Sequence, residues 1–332
     1  MANETGTTMA SCSYVRSDGS PCPGAVDNAD RGLCFWHDVE ISKEIPGLRE
    51  RLQEWAHSGE SMEGFDLRYA PLEGLKLSTC RSRDLRRANL FRANLQGASM
   101  FNVNLQGAEL LKANLAGANL NQSRLEDADL LGANLDGTRL DHIDWGELCI
   151  NEQQAIQAQN DGDHTTSLTM FKEAEEVYRA LRRAYTTRGE NHQAGLFFRR
   201  EMIMQRMQMP RWSAARAWSV LVDLLCAYGE SPPRVIISTL VFNFLCALVY
   251  FFTGILGPEG MVQFDPKAGL GTNLVYFSDC LYYSITVFTS LAYNNEARQP
   301  WIVRPLAGAQ AFLGAFMMAL FVVVFAKKMM RN

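Results

Sequence analysis

Three cysteines and one histidine near the start of the chain have the side-chain types that bind transition metals. Cys12, Cys22, Cys34 and His37 follow the spacing C-x9-C-x11-C-x2-H. Thiolate and imidazole ligands suit tetrahedral Zn²⁺, and four protein ligands leave no open position, as in structural rather than catalytic sites. The surrounding stretch is too short and polar for a core of its own, and a bound metal would help it to fold. The sequence predicts a structural Zn²⁺ site in a module of residues 1–40; the alternative is a disordered, reduced tail.

The elements at the other end of the chain are apolar. Val235–Leu256 contains 22 residues without a charge, and Leu306–Ala326 contains 21. A helix as long as the first run measures about 33 Å, which is enough to cross a hydrocarbon core of about 30 Å. Two such runs predict a multi-pass membrane protein.

Basic residues flank both runs on their outer sides. Arg234 precedes the first run, and Lys327 and Lys328 follow the second. The positive-inside rule therefore predicts that both termini are cytoplasmic and that the spans lie in the inner (plasma) membrane of the cell. No secretory signal opens the chain. We therefore expect the eight cysteines to stay reduced rather than to form a disulfide framework.

A third apolar stretch, Leu274–Ala292, lies between the two runs. Asp279 interrupts it, and its many serine, threonine and tyrosine residues suit a re-entrant segment better than a full span. A third span would also put the two termini on opposite faces of the membrane. Non-helical backbone at membrane depth must be buried in protein or line a water-filled cavity, so a re-entrant segment implies a pore.

The end of this stretch carries a family resemblance. Residues 283–295 (YSITVFTSLAYNN) resemble the pore helix and filter of potassium-channel-like proteins, whose pattern is approximately S-x-T-T-F-T-T-x-G-Y-G-D. Residues 226–234 (CAYGESPPR) resemble the Y-G-E-x-P-x-R junction of bacterial channels that carry pentapeptide repeats. The resemblance implies a homotetramer in membrane lipid, whose four filter loops replace the hydration shell of a permeant monovalent cation. The implied selectivity filter is Thr289, Ser290, Leu291, Ala292, Tyr293 and Asn294, and the implied pore mouth is Asn295 and Glu296.

The implied filter departs from the family pattern at both glycines, because Ala292 and Asn294 occupy their places. Glycine accepts a positive φ there without steric cost, whereas alanine is penalised by about 1–2 kcal/mol. We expect cations to pass through a wider filter, lined in part by the Thr289 and Ser290 hydroxyls, without strict potassium selectivity. The alternative is a degenerate loop that does not conduct.

The second apolar run contains residues that the resemblance assigns to gating. Gly314 lies where related inner helices carry a hinge glycine. Phe321 and Phe325 are i,i+4 neighbours that could form an apolar constriction near the cytoplasmic end. Ordinary helix packing is the alternative for each of them. In the first run, Asn243 is expected to form an interhelical hydrogen bond rather than to contact ions.

A five-residue repeat occupies the middle of the chain. From Leu85 to Trp145 a large residue, nearly always leucine, recurs every five residues, with a small residue two positions before it in most repeats. Leu67, Leu72 and Leu77 continue the pattern, shifted in phase by an insertion around residues 80–83. The repeat resembles the pentapeptide-repeat family A-(D/N)-L-x-x, which implies a right-handed quadrilateral β-helix. Such a solenoid needs caps, and the helical segment Ile41–His57 and Trp145 are the candidates.

The charge of the repeat limits its partners. Six Arg or Lys and seven Asp or Glu residues lie between Leu85 and Trp145. This balance argues against imitation of DNA by an acidic surface, and the net charge of −4 argues against a nucleic-acid partner. We expect any partner of the solenoid to be an unidentified cytoplasmic one.

Two helical segments are predicted between the repeat and the membrane. Ser167–Met209 has apolar positions at helical spacing and a break at Gly189, which predicts a helical hairpin that carries an interface or simply packs. Trp212–Tyr228 gathers apolar side chains beside Arg211 and Arg216, which suits a helix in the membrane interface. That helix either transmits movement to the gate or only anchors the chain.

The predicted fold class is a multidomain membrane protein: a right-handed quadrilateral β-helix and helical hairpin in the cytoplasm, and an α-helical two-span pore domain. The leading hypothesis is a tetrameric pore-loop cation channel, and the alternative is a non-conducting, membrane-anchored scaffold. An enzyme is not expected, because the sequence has no phosphate-cradling glycine loop, no Ser/His/Asp spacing and no open-site metal motif. The predicted segments are 1–40 (zinc module), 41–64 (helical cap), 65–148 (repeats), 149–210 (helical hairpin), 211–230 (interfacial helix) and 231–332 (pore domain).

Overall fold

The computed structural model describes residues 11–28, 30–257, 260–290 and 299–329. It comprises two compact units, Met1–Pro210 and Arg211–Asn332. The helices are α1 (Leu48–Ser58), α2 (Ile150–Asn160), α3 (His164–Thr187), α4 (Asn191–Met207), α5 (Ala214–Cys226), α6 (Pro232–Thr253), α7 (Leu270–Phe288) and α8 (Val303–Met329). Two short antiparallel hairpins pair β1 (Val26–Asn28) with β2 (Leu33–Cys34) and β3 (Ile255–Gly257) with β4 (Gly260–Val262).

The N-terminal hairpin module packs on the first coil of the repeat region. The Trp36 ring stacks on the Phe65 ring with centroids 5.1 Å apart, and the backbone N–H of Asp66 donates to the Trp36 carbonyl at 2.7 Å. Both rings belong to the hydrophobic core that continues through the repeats. The module therefore covers the end of this core, as a cap must.

The cap helix begins later than the sequence predicts. Helix α1 starts at Leu48 rather than at Ile41, and its buried face is Leu48, Leu52 and Ala56. Pro46 restricts the backbone before it, and Gly47 takes a left-handed φ of 76° at the helix start. The residues preceding the helix form an irregular loop around the buried Lys43, whose Nζ donates to the carbonyls of Asp38 and Ile41.

The repeat region coils with one turn for every twenty residues, which equals four repeats. Isolated parallel bridges pair residues at this offset, from Asp84 with Asn104 to Arg124 with Asp144. The leucines and the small residues of the repeat are buried in the centre of the coil. Before the insertion the offset is 23, as between Lys76 and Ser99. The three extra residues confirm the predicted phase shift and form a bulge around residues 80–83, beside the end of α1.

Three helices follow the repeats, where the sequence predicts two. Helices α3 and α4 agree with the predicted hairpin and its break at Gly189. Helix α2 is additional, and two of its three buried residues, Asn151 and Glu152, are polar. Apolar periodicity therefore could not reveal it. At this end of the coil, the Trp145 Nε1 donates to the Tyr185 hydroxyl at 3.0 Å, which places Trp145 where the sequence predicts a cap.

The second unit contains the two apolar helices. Among the described residues, α6 and α8 are long and apolar enough to cross a membrane. Helix α6 is displaced from the predicted Val235–Leu256, because Pro232 and Pro233 suit a first helical turn and Gly254 (φ 80°) ends the helix. Helix α7 occupies most of the predicted re-entrant stretch and contacts both α6 and α8.

Candidate functional site

The predicted metal ligands come together in a buried cluster. The ligand atoms of Cys12, Cys22, Cys34 and His37 all lie within 4.8 Å of one another. The Cys22 and Cys34 Sγ atoms are 3.9 Å apart, and the His37 Nδ1 lies 3.3 Å from the Cys34 Sγ and 3.6 Å from the Cys12 Sγ. Tetrahedral Zn²⁺ with Zn–S bonds of about 2.3 Å requires ligand atoms about 3.8 Å apart. The arrangement fits a four-coordinate metal.

A hydrogen bond from the ring nitrogen that faces away from the sulfur atoms orients the His37 imidazole. Its Nε2 donates to the backbone carbonyl of Glu63 at 2.9 Å, which leaves the Nδ1 lone pair directed at the sulfur atoms. The Tyr14 ring stacks on the imidazole with centroids 3.9 Å apart. Outer partners of this kind fix the tautomer and the ring orientation of metal-binding histidines.

The pKa values of two thiols in the cluster, Cys22 and Cys34, are shifted in opposite directions. The hydrogen bond with Cys34 lowers the pKa of the Cys22 thiol. The hydrogen bond with Cys22, together with burial, raises the pKa of Cys34 to about 11. Ionisation of one thiol therefore opposes ionisation of the other, and a divalent cation would stabilise both thiolates.

Close approach in the cluster depends on Gly24. A Cβ at this position would lie 2.8 Å from the Cys34 Cβ and 2.9 Å from the Cys34 Sγ. The Gly24 N–H also donates to the Cys22 Sγ at 3.4 Å. The glycine lets the backbone close around the sulfur atoms.

The carboxylate of Glu63 joins the N-terminal hairpin module to the repeats through hydrogen bonds and an ion pair. It accepts hydrogen bonds from the Ser17 backbone N–H at 2.9 Å and the Ser17 hydroxyl at 3.0 Å, and it lies 3.2 Å from the Arg86 guanidinium. The same residue supplies the carbonyl that holds His37. The spacing of the ligands within residues 1–40 could not reveal Glu63, because Glu63 lies outside this segment and contacts His37 through its backbone carbonyl.

The predicted filter segment begins at the end of α7. The Thr289 hydroxyl donates to the Ile285 carbonyl at 2.9 Å, so it caps the helix here. Ser290 is exposed and takes a left-handed φ of 58°. The remaining filter and mouth residues of the sequence prediction lie outside the described residues: Leu291, Ala292, Tyr293, Asn294, Asn295 and Glu296.

A buried polar network joins α6, α7 and α8 behind this point. The Tyr250 hydroxyl donates to the Gln310 Oε1 at 2.6 Å. The Gln310 Nε2 donates to the Ser284 hydroxyl at 2.8 Å and to the Asn243 Oδ1 at 3.3 Å. The prediction that Asn243 forms an interhelical hydrogen bond is confirmed. Satisfied networks of this kind specify one arrangement of the helices that they join.

Gly314 brings α8 into close contact with the end of α7. A Cβ on Gly314 would lie 2.3 Å from the Phe288 carbonyl oxygen and 3.1 Å from its carbonyl carbon. This contact gives the glycine a packing role beside the predicted hinge role. Because Phe288 lies two residues before Ser290, the contact positions the start of the segment that the sequence predicts to form the filter.

The C-terminal end of α8 contacts the segment that precedes α6. The Lys327 Nζ lies 2.7 Å from the Glu230 carboxylate, and Cys226, Val235 and Val324 form a small buried cluster beside it. Glu230 belongs to the junction that the sequence resemblance singled out. The Phe321 and Phe325 rings stack with centroids 5.7 Å apart on α8; a gating role for them stays a prediction.

Comparisons with known families agree with this organisation. Residues 84–107 and 108–144 match the family of pentapeptide repeats, in eight copies. Residues 235–331 match a family described as ion channel. The chain carries pentapeptide repeats and an ion-channel domain. The family of that domain comprises ion channels and not enzymes. With α6 and α8 as candidate spans of this domain, the chain is a membrane protein.

Three solved structures are similar to this chain. Rfr23, a pentapeptide repeat protein from the cyanobacterium Cyanothece 51142, is 33% identical, with a TM-score of 0.22 over 26% of this chain and 56% of its own. A pentapeptide repeat protein from the Arabidopsis thaliana thylakoid lumen is 25% identical, with a TM-score of 0.21 over 32% and 79% of the two chains. HetL from the cyanobacterium Nostoc is 36% identical, with a TM-score of 0.14 over 24% and 38%. No match was found among curated proteins.

Proposed function

We propose that this chain is one subunit of a tetrameric pore-loop cation channel in the inner (plasma) membrane, with both termini in the cytoplasm. The observation that carries the proposal is the packing of α7 between the two candidate spans, with its last residue, Phe288, against Gly314. Helix α7 ends where the filter segment begins, so its C-terminal carbonyls give that segment a negative partial charge. Four such helix ends around an axis would favour cations.

The proposed pore is weakly selective between monovalent cations. Glycines are absent from the two filter positions at which potassium-channel-like proteins carry them. The proposed lining is the hydroxyl of Ser290 with the backbone carbonyls of Leu291 and Ala292. Thr289 contributes less than the sequence alone suggested, because its hydroxyl is bound to the Ile285 carbonyl. Gly314, Phe321 and Phe325 remain the proposed hinge and constriction.

The proposed cytoplasmic part is a right-handed quadrilateral β-helix closed at its N-terminal end by a structural Zn²⁺ module. The twenty-residue bridge offset supports four sides per coil, and the Cys₃His geometry supports zinc. This rigid part would assemble or gate the pore and would offer its outer faces to a cytoplasmic partner. The segment boundaries predicted from the sequence are retained in this proposal.

A bilayer recording tests the proposal. Purified protein, shown to be tetrameric by native mass spectrometry, is reconstituted in planar bilayers with potassium on one side and sodium on the other. We expect cation current with a reversal potential near zero. A reversal at the potassium equilibrium potential would refute weak selectivity but not conduction. Tetrameric protein that stays silent would favour the non-conducting, membrane-anchored scaffold.

A further inference from the structure

The insertion in the first coil of the repeats opens a cleft of about 540 Å³. The cleft lies between the end of α1, the bulged residues and the next two coils. Ser82 fastens the bulge to the cap helix, because its backbone N–H donates to the Ala56 carbonyl at 2.9 Å. The three residues added to the coil displace the chain from the twenty-residue offset. A regular coil would have no such cleft.

The charge of the cleft is unbalanced. Arg81, Arg83 and Arg124 line it. Within the part of the chain that the structure describes, none of these three guanidinium groups has an ion pair or hydrogen bond to a protein group. By contrast, the Arg68 and Arg86 guanidiniums on the same coils are bound to carboxylates.

The acidic residues nearby do not compensate these three cations. Among the described lining residues only Asp84 is acidic, and its two carboxylate oxygens accept from the Arg86 guanidinium at 2.8 and 2.9 Å. Asp144 is paired with Arg124 in the ladder of bridges, but among the described residues no ion pair joins their side chains, and the Asp144 carboxylate accepts from the Gly146 N–H at 3.2 Å. The cleft is therefore lined by three guanidinium groups and one carboxylate, and among the described residues none of the three guanidiniums forms an ion pair.

We propose that this cleft binds a small phosphate-bearing anion. A guanidinium presents a planar fork of N–H donors that matches two phosphate oxygens, and three of them around one cleft match a di- or polyphosphate. The volume suits a ligand of metabolite size. The phosphate belongs either to a soluble metabolite or to the headgroup of a lipid. The site does not depend on conduction, because it lies wholly within the repeat unit.

Calorimetric titration of the purified tetramer in detergent tests the proposal. The probes are inorganic pyrophosphate and a short-chain, water-soluble phosphatidylinositol bisphosphate. We expect saturable binding, with Arg83→Ala and Arg124→Ala each weakening it about tenfold, which equals about 1.4 kcal/mol, since each removes a hydrogen bond to a charged group. Arg139→Ala is the matched control, because Arg139 is an exposed arginine of a later coil outside the cleft. It should change the affinity less than twofold.

The two probes separate the sources of the phosphate. Tighter binding of the lipid headgroup upholds the site and assigns it to a lipid, whereas equal or tighter binding of pyrophosphate upholds it and assigns it to a soluble ligand. Absence of heat with both probes overturns the proposal. Equal weakening by Arg139→Ala also overturns it, since that result would indicate attraction by overall charge. Unchanged thermal unfolding of each variant ensures that the affinities compare folded proteins.

Discussion

Replacement of Gly314 by alanine tests how α8 sets the position of the proposed filter segment. The added Cβ would lie 2.3 Å from the Phe288 carbonyl oxygen, so helix and carbonyl must separate by about 1 Å to restore van der Waals contact. Overpacking of this kind costs about 1–3 kcal/mol, and alanine recovers about 1 kcal/mol of helix propensity. The net expectation is a loss of about 1 kcal/mol per subunit, together with a displaced start of the filter.

The control is Gly308→Ala on the same helix. Among the described residues, a Cβ there would meet no atom within 4 Å apart from its chain neighbours and the nearby backbone of its own helix, so only the gain in helix propensity of about 1 kcal/mol remains. The thermal unfolding temperature of the detergent-solubilised protein should therefore shift downward for Gly314→Ala and upward for Gly308→Ala. The bi-ionic reversal potential should change only for Gly314→Ala.

The sign of the thermal shift separates packing from hinge action. A glycine that served only as a hinge would let alanine stiffen and stabilise the helix, and Gly314→Ala would then unfold at a higher temperature. The reversal potential would stay unchanged while the open probability fell. That pair of results would refute the argument from the Phe288 contact.

Three further substitutions test other parts of the chain. We expect about one zinc per subunit by mass spectrometry, and Cys34→Ser should abolish it and expose the N-terminal module to protease. Cys80→Ser is the control, because this buried thiol lies outside the cluster, and it should retain the metal. Equal metal contents in the two variants would contradict a Cys₃His site. Gln310→Leu should lower the stability of the pore unit by about 1–3 kcal/mol, because it leaves buried polar partners unsatisfied, and unchanged thermal unfolding would show that the network contributes nothing. Lys327→Met should change the open probability by up to about fivefold, the limit for a partly exposed ion pair. The charge swap Glu230→Lys with Lys327→Glu should restore the open probability of the unmodified protein. An unchanged open probability in both variants would exclude a role for this pair in gating.

Much of the architecture was predictable because its signals are local and periodic. The leucines of the repeat, the uncharged runs around α6 and α8 and the spacing of the four metal ligands can each be read within one stretch of chain. Helix α2 escaped prediction because it buries Asn151 and Glu152 rather than an apolar stripe. The start of α1 was misplaced because residues 41–47 fold around Lys43 instead of forming a helical turn.

The sequence by itself determined which parts this protein contains. These are a Cys₃His ligand set, a pentapeptide repeat with one insertion, and two candidate spans with a third apolar stretch between them. Only the tertiary structure decided how these parts meet. Three features depend on atoms that are far apart in sequence: the Glu63 carbonyl behind His37, the Phe288 carbonyl against Gly314, and the cleft lined by three arginines. Such contacts arise from packing between elements, and a backbone carbonyl leaves no mark in the residue types of its partner.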